Sequence, residues 1–327
     1  MTGTTVTRHE RSALATDVPE GLAPATPRVR RLPAVHLRRP NVAALVFLLP
    51  LLLIFGVFSW LPILRSVVMS VQQTNLVDPP TFVGLDNFAH VLADPLFAKA
   101  VGNTIYFALL ALVFGYPVPL VLAVLMSEVR RSKGLFAALA YLPVVMPPVV
   151  AVLLWKVFFD GSSTGLFNSL LGLVGIKPQP WLQSAATVMP SLVLEATWAA
   201  FGGTILIYLA ALVSVPPDLY DAADTDGASL WQKVRHITIP QLRGVLLVTF
   251  ILQIIGTSQL FLEPFLFTGG GPANATTTIL LLIYKYAFQN SIGGDYGAAT
   301  ALSLMLAGFL AVLSAGYFWL TRAWSEG

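Results

Sequence analysis

Asp221-Ala222-Ala223-Asp224-Thr225-Asp226-Gly227-Ala228, followed by Ile237-Thr238-Ile239-Pro240, is a polar island inside a very apolar chain. Gly227 and Pro240 lie thirteen positions apart. Between them Trp231, Val234 and Ile237 recur at helical spacing, with Gln232, Lys233, Arg235 and His236 on the other faces. The spacing predicts a short amphipathic helix flanked by long hydrophobic runs. At a membrane surface such a helix requires an apolar groove, supplied by lipid or by a partner protein.

The composition around the island is that of a membrane protein. Of 327 residues 56% are hydrophobic and 11% charged, and the mean hydropathy is +0.76; soluble domains carry about 25% charged residues. The absence of cysteine excludes a disulfide framework, a thiolate metal site and thiol catalysis. Residues 1–39 are rich in Thr, Ala, Pro and Arg, lack an apolar period, and end in Arg28, Arg30, Arg31, Arg38 and Arg39. They read as a disordered basic tail. A signal peptide is the competing reading, but the positive region is too long for one and no small-residue cleavage site follows, so the first apolar run is expected to be retained as a span.

Runs long enough to cross a hydrocarbon core, about 20 residues each, lie near 42–69, 103–126, 135–158, 187–213, 243–267 and 298–320. An all-α, polytopic protein with six transmembrane helices is therefore expected. Pro62 and Arg65 interrupt the first run, and Pro143, Pro147 and Pro148 predict a kinked or broken third helix.

With the amino terminus inside, the tail, the 127–134 loop, the 214–242 loop and the chain end at 323–327 share one side of the membrane. Fourteen of the 19 Lys and Arg residues then fall on that side, against Arg65, Lys99, Lys156, Lys177 and Lys285 outside or near the outer ends. The positive-inside bias thus predicts cytoplasmic termini and a cytoplasmic polar island in a bacterial plasma membrane. Outer loops fall near 70–102, 159–186 and 268–297, with turn formers and apolar anchors that suggest order.

The chain has no Gly-x-x-x-x-Gly-Lys-Ser/Thr phosphate loop and no His-Glu-x-x-His zinc helix. It offers no catalytic constellation, no metal site and no nucleic-acid signature. Gly161-Ser162-Ser163-Thr164-Gly165 matches a nucleophile-elbow pattern, but it follows an apolar run rather than a strand and has only His90 on its side, so it reads as a turn. Asn274-Ala275-Thr276 fits a glycosylation sequon that matters only in a eukaryotic secretory setting.

At the polar island the chain resembles the permease subunits of bacterial ATP-binding-cassette importers. Their signature is an acid, two alanines, a glycine six residues after the acid, and Ile-x-Leu-Pro ending thirteen residues beyond the glycine. Asp221, Ala222, Ala223, Asp226, Gly227, Ile237 and Pro240 match it, with Asp for Glu at 221 and Ile for Leu at 239 as the departures. The resemblance covers roughly 40–322 and includes Phe82-Val83-Gly84-Leu85-Asp86-Asn87-Phe88, Asn103-Thr104, Leu142-Pro143, Trp155-Lys156, Gly165-Leu166-Phe167-Asn168 and Thr268-Gly269-Gly270-Gly271-Pro272. These motifs are similar to the carbohydrate branch, and the glycine-proline turn to its maltose-permease F type, without the long periplasmic insertion of some members.

The resemblance implies a six-span permease domain over 40–322 whose 214–242 loop, and within it 219–240, forms a coupling helix docked on a separate ATPase. Asp221 would pair with a basic group there, and Gly227 would permit a sharp turn between two short helices. It further implies a second homologous permease, two ATPase subunits, an extracytoplasmic sugar-binding protein and a sugar substrate, with ATP and Mg bound by the ATPase partner and no cofactor in this chain. An amphipathic helix lying on membrane lipid is the plainer reading of the island, but it requires no acid, glycine and proline at fixed offsets.

Polar groups inside a span are costly and normally face the bundle interior. Gln253, Gly256, Thr257, Gln259 and Glu263 fall on one face of a straight fifth helix, and the fourth contributes Glu195, Trp198, Thr197 and Thr204. The candidate substrate pathway is Glu195, Trp198, Gln253, Thr257, Gln259 and Glu263, with hydrogen bonds to hydroxyls and a ring to stack on a sugar. Thr197, Thr204 and Gln253 serve equally well as polar glue between helices, and Ala299, Ser303 and Ala307 read as a packing ridge. An ion-driven secondary carrier, or a membrane enzyme acting alone, is the competing class. It would want an intramembrane relay and an inverted repeat, and neither is visible.

Overall fold

The computed structural model describes residues 42–129, 133–289 and 293–325. The basic tail over 1–39 and the pair Arg130 and Arg131 lie outside the described residues. The chain divides into two units, Met1–Phe58 and Ser59–Gly327. In the first, α1 (Val42–Phe55) is a wholly apolar helix with Pro50 inside it.

The second unit opens with α2 (Leu61–Ser70) and a short antiparallel pair, β1 (Gln72–Gln73) with β2 (Thr81–Phe82). There follow α3 (Asp86–Ala93), α4 (Pro95–Leu110), α5 (Pro117–Glu128), α6 (Lys133–Val145), α7 (Pro148–Phe158) and α8 (Leu166–Leu173). The remaining helices are α9 (Val188–Val213), α10 (Pro217–Thr225), α11 (Leu230–Lys233), α12 (Ile239–Ser258), α13 (Leu262–Thr268), α14 (Ile279–Phe288) and α15 (Tyr296–Ser325). Among the described residues five continuous helical stretches are long and apolar enough to cross a membrane, and α6 with α7 brings the number to six if that pair is one span. The protein is thus an all-α, multi-pass membrane protein.

Three π turns, Gly56–Trp60, Ala111–Gly115 and Val234–Thr238, each end two residues before a proline: Pro62, Pro117 and Pro240. A proline inside a helix lacks the N–H for its own bond, and its ring collides with the carbonyl four residues back. Widening the preceding turn relieves the collision. Tyr116 N–H accordingly donates to Ala111 O at 2.8 Å, and Ile239 N–H to Val234 O, both reaching five residues back. The helices therefore run through their prolines, and Pro95–Glu128 forms one 34-residue stretch that starts at Pro95 rather than near 103. At about 1.5 Å per residue it far exceeds a ~30 Å hydrocarbon core, so it projects beyond it.

The same device changes the fifth span. Pro240, the last residue of the signature, sits in the first turn of α12, so Leu230–Ser258 is continuous. The span expected over 243–267 thus begins thirteen residues earlier and ends at Ser258, and a break at Gln259–Phe261 separates it from α13. The third span is broken as its prolines predicted: α6 and α7 meet at 99° across Met146 and Pro147. The last helix continues to Ser325, past the expected span end. Of the small-residue ridge, Ala299 is buried, Ser303 half-buried and Ala307 exposed. Close packing centres instead on Gly297, where a Cβ would strike Gln72 O and the Asn87 amide, and on Ala298, Ala299 and Ala301.

Buried asparagines and threonines hold the loops over 70–102, 159–186 and 268–289. Asn87 Nδ2 donates to Ser70 O and Gln72 O, both at 2.9 Å. Asn103 Nδ2 donates to Asn274 O at 2.7 Å and Thr277 O at 2.9 Å, while Thr104 Oγ1 accepts from Ile279 N–H at 3.0 Å. Asn168, 2% exposed, donates to the carbonyls of Asp160, Ser162 and Gln179 and accepts from Gln179 N–H and Trp181 Nε1. Ser162 N–H donates to Asp160 Oδ1 at 2.7 Å, which holds that carboxyl below its ordinary pKa. The 161–165 segment is therefore a turn: a Cβ at Gly165 would collide with Asp160 O.

Candidate functional site

The polar island folds as a helical hairpin. Helix α10 closes with Gly227 in the left-handed region, at φ +72°. Gly227 N–H donates to Asp224 O at 3.1 Å and Ala228 N–H to Ala223 O at 2.9 Å. This is the Schellman arrangement, which satisfies the last carbonyls of a helix and favours glycine. Ser229 then caps α11 reciprocally with Gln232, restarting the helix after a single extended residue. Asp221, Gly227 and Pro240 thus carry out three separate tasks: an exposed acid, a chain reversal, and a proline absorbed by a π turn.

Lys233 Nζ donates to Asp224 Oδ1 at 2.6 Å, and Tyr220 and Thr238 share a 3.0 Å hydroxyl bond, so two polar contacts lock α10 to the second arm. Asp221 is exposed, and among the described residues its carboxylate has no hydrogen-bond or ion-pair partner. Trp231 is 68% exposed, and Leu219, Leu230 and Ile239 are exposed beside the polar groups. Ala222, Asp226 and Pro240 are also exposed, whereas Ala223 and Ile237 are half-buried under the hairpin. An unpaired acid and a large exposed indole are thus both presented at the surface of the two-armed hairpin.

The second site lies within the spans. A cavity of about 230 Å³ is bounded by the π turn of the second span (Ala111, Gly115), by α9 (Thr197, Thr204) and by α12 and α13 (Gln253, Thr257, Glu263). Gly115 lets the two helices approach closely, since a Cβ there would lie 2.8 Å from Thr197 Oγ1. Three of the six predicted pathway residues, Gln253, Thr257 and Glu263, line this space together. Gln259 does not: it occupies the end of α12, exposed, with Nε2 donating to Ile255 O at 3.4 Å. The helical break after Ser258 removes the straight face on which it was placed. Trp198 packs with Trp155 at a centroid distance of 5.5 Å in an aromatic cluster with Phe158, Phe159, Phe167 and Trp181, away from the lining. Glu195 lies behind the wall, 1% exposed.

Thr197 and Thr204, equally readable as polar glue, line the cavity. Phe107, Ala111, Gly115 and Pro119 also line it and were missed. They are apolar or small, and the one signal they carry is the glycine-proline clustering at 115–119. Polar tethers tie the spans that frame the cavity: Tyr116 OH donates to Leu246 O at 2.6 Å, and Tyr208 OH bonds Thr249 Oγ1 at 2.8 Å.

Residues 115–326 match the family of binding-protein-dependent transport system inner membrane components. The chain belongs to that family. It is 35% identical, over 88% of its length and 90% of the relative's, to the arabinooligosaccharides transport system permease protein AraP of Halalkalibacterium halodurans. It is 34% identical to the lactose transport system permease protein LacF of Rhizobium radiobacter, over 86% of this chain and 95% of that one. The trehalose/maltose transport system permease protein MalF of Thermococcus litoralis is 32% identical, over 82% and 89%. A chain of a bacterial ABC transporter involved in import of the acidic polysaccharide alginate superposes with a TM-score of 0.75 at 26% identity, covering 86% of this chain and 96% of that one. The protein is accordingly a membrane-spanning transport subunit and not an enzyme.

Proposed function

We propose that this chain is one of two permease subunits in an ATP-driven importer of a di- or oligosaccharide, forming half of the translocation path over a six-span domain at 40–322. Hydrolysis occurs on a separate pair of ATPase subunits, which bind ATP and Mg, and an extracytoplasmic binding protein delivers the sugar. The printed cargo of three relatives, arabinooligosaccharides, lactose and trehalose/maltose, supports the substrate class. The charge asymmetry of the loops supports cytoplasmic termini and a cytoplasmic hairpin at 217–240.

The observation that carries the reading is the rigid hairpin with the unpartnered Asp221 and the exposed Trp231 at its surface. It is a shape for transmitting motion rather than for chemistry. Closure of an ATPase groove around it would move α10 and α11 as one body, and α11 continues without interruption into the span that lines the cavity. Alternating access at Gln253, Thr257 and Glu263 would follow from that single rigid connection. A self-sufficient carrier would need an energy source within this chain, and the family is binding-protein-dependent.

Reconstitution into proteoliposomes tests the reading. The chain co-expressed with a sister permease and ATPase is expected to take up labelled maltose, trehalose, lactose or arabinooligosaccharide only with ATP inside and binding protein outside. Uptake by the chain alone, without ATP, would sink it.

A further inference from the structure

We infer that the cavity selects hydrogen-bond-donating saccharides, neutral or cationic, against acidic ones; this rests on the saccharide reading and narrows it. Beside the donors of Gln253, Thr197 and Thr204, the charge on this chain's side of the wall is lopsided. Glu263 supplies a carboxylate, and no Lys, Arg or His stands among the lining residues. Thr257 Oγ1 donates its hydrogen to Gln253 O at 2.9 Å, so what it shows the cavity is lone pairs. Glu195, 1% exposed directly behind the wall, has an Oε2 with no hydrogen-bond partner among the described residues. Helix α13, which carries Glu263, packs against both α7 and α9, the helix of Glu195.

The nearest cations are engaged elsewhere. Lys156 Nζ donates to Leu266 O at 3.1 Å and Lys285 Nζ to Thr277 Oγ1 at 3.3 Å, both outside the cavity lining. Hydroxyl and ammonium groups donate to a carboxylate; a uronate carboxylate only accepts, and it brings like charge to a wall on which this chain places no cation. The solved relative serves an acidic polysaccharide, so the fold does not dictate the charge of its cargo. The wall of the path does.

The test is direct binding to the complete transporter, with sister permease and ATPase in lipid nanodiscs and the binding protein omitted, read by ligand-observed NMR. The probes are maltotriose, the glucosamine trimer and the alginate trisaccharide. The alginate trisaccharide is expected to bind at least about tenfold more weakly than maltotriose, and the glucosamine trimer at least as well. Glu263→Gln and Glu195→Gln are expected to narrow the gap, and Glu263→Lys to reverse it. Equal affinity for the acidic and neutral trimers, or a gap unchanged in both Gln variants, would overturn the inference while leaving the saccharide reading intact. No binding of any trimer by a transporter that hydrolyses ATP would overturn both.

Discussion

Gly227 separates conformation from contact with unusual cleanliness. Its φ is +72°, and a Cβ built there meets nothing within 4 Å. Any effect of substitution therefore comes from the backbone. For a non-glycine residue the left-handed region costs about 1–2 kcal/mol, less for asparagine, whose short polar side chain tolerates it. Gly227→Asn is expected to keep uptake within about twofold of the parent, and Gly227→Ala to lower it several-fold, since 1.4 kcal/mol corresponds to about a factor of ten. Gly227→Pro is a different case. Its ring fixes φ near −65°, and it deletes the N–H that donates to Asp224 O at 3.1 Å; with a cost of about 3 kcal/mol or more, uptake should fall at least about a hundredfold. The assay is ATP-driven uptake by the reconstituted transporter, normalised to permease in the membrane by quantitative blot. An Asn variant as inactive as the Pro variant, or a Pro variant with ordinary uptake, would refute the claim that the left-handed turn positions the hairpin.

Asp221→Lys should abolish uptake and co-purification of the ATPase while membrane abundance stays unchanged, because the carboxylate has no role inside the hairpin; retained co-purification would count against docking. For the Asp224–Lys233 pair, Lys233→Met should leave Tm nearly unchanged, since Asp224 is largely exposed. It should nevertheless raise ATP hydrolysis uncoupled from uptake, and exchanging the two residues should restore coupling; an unrescued double exchange would argue against a latch. Asn168→Ala removes an amide that makes five hydrogen bonds at 2% exposure. A loss of about 3 kcal/mol or more, seen as a lower Tm and faster hydrogen exchange over 160–181, is expected, and an unchanged exchange profile would contradict it.

The parts of the molecule legible in the sequence were those governed by composition and local chemistry. Apolar runs located the membrane stretches, Pro143, Pro147 and Pro148 located the break of the third, and the offset of Gly227 from Asp221 located a chain reversal. Periodicity failed where helices were not uniform. The island helix and the fifth span were read as separate because a sequence does not show the carbonyl of Val234 taking a bond from five residues ahead. The straight face holding Gln253, Gln259 and Glu263 ended at Ser258, beyond which 100° per residue no longer places anything. Thr197 and Thr204 were ambiguous because a hydroxyl that glues helices and one that lines a path are the same residue type. Asn103 and Asn168 carried no chemistry in isolation, and their partners are set by tertiary structure.

Asn103 also bears on how the protein is made. Its two acceptors belong to residues 171 and 174 positions further along the chain. A ribosome must therefore deliver nearly the whole permease to the membrane before this amide has anything to bond. Until then a donor destined for burial stands open, at a cost of about 1–3 kcal/mol once its neighbours pack. A nascent or truncated chain thus differs from a finished one by a defined, unmet hydrogen-bonding need at Asn103. That difference gives membrane proteases a physical basis for telling an incomplete permease from one ready to receive its partners.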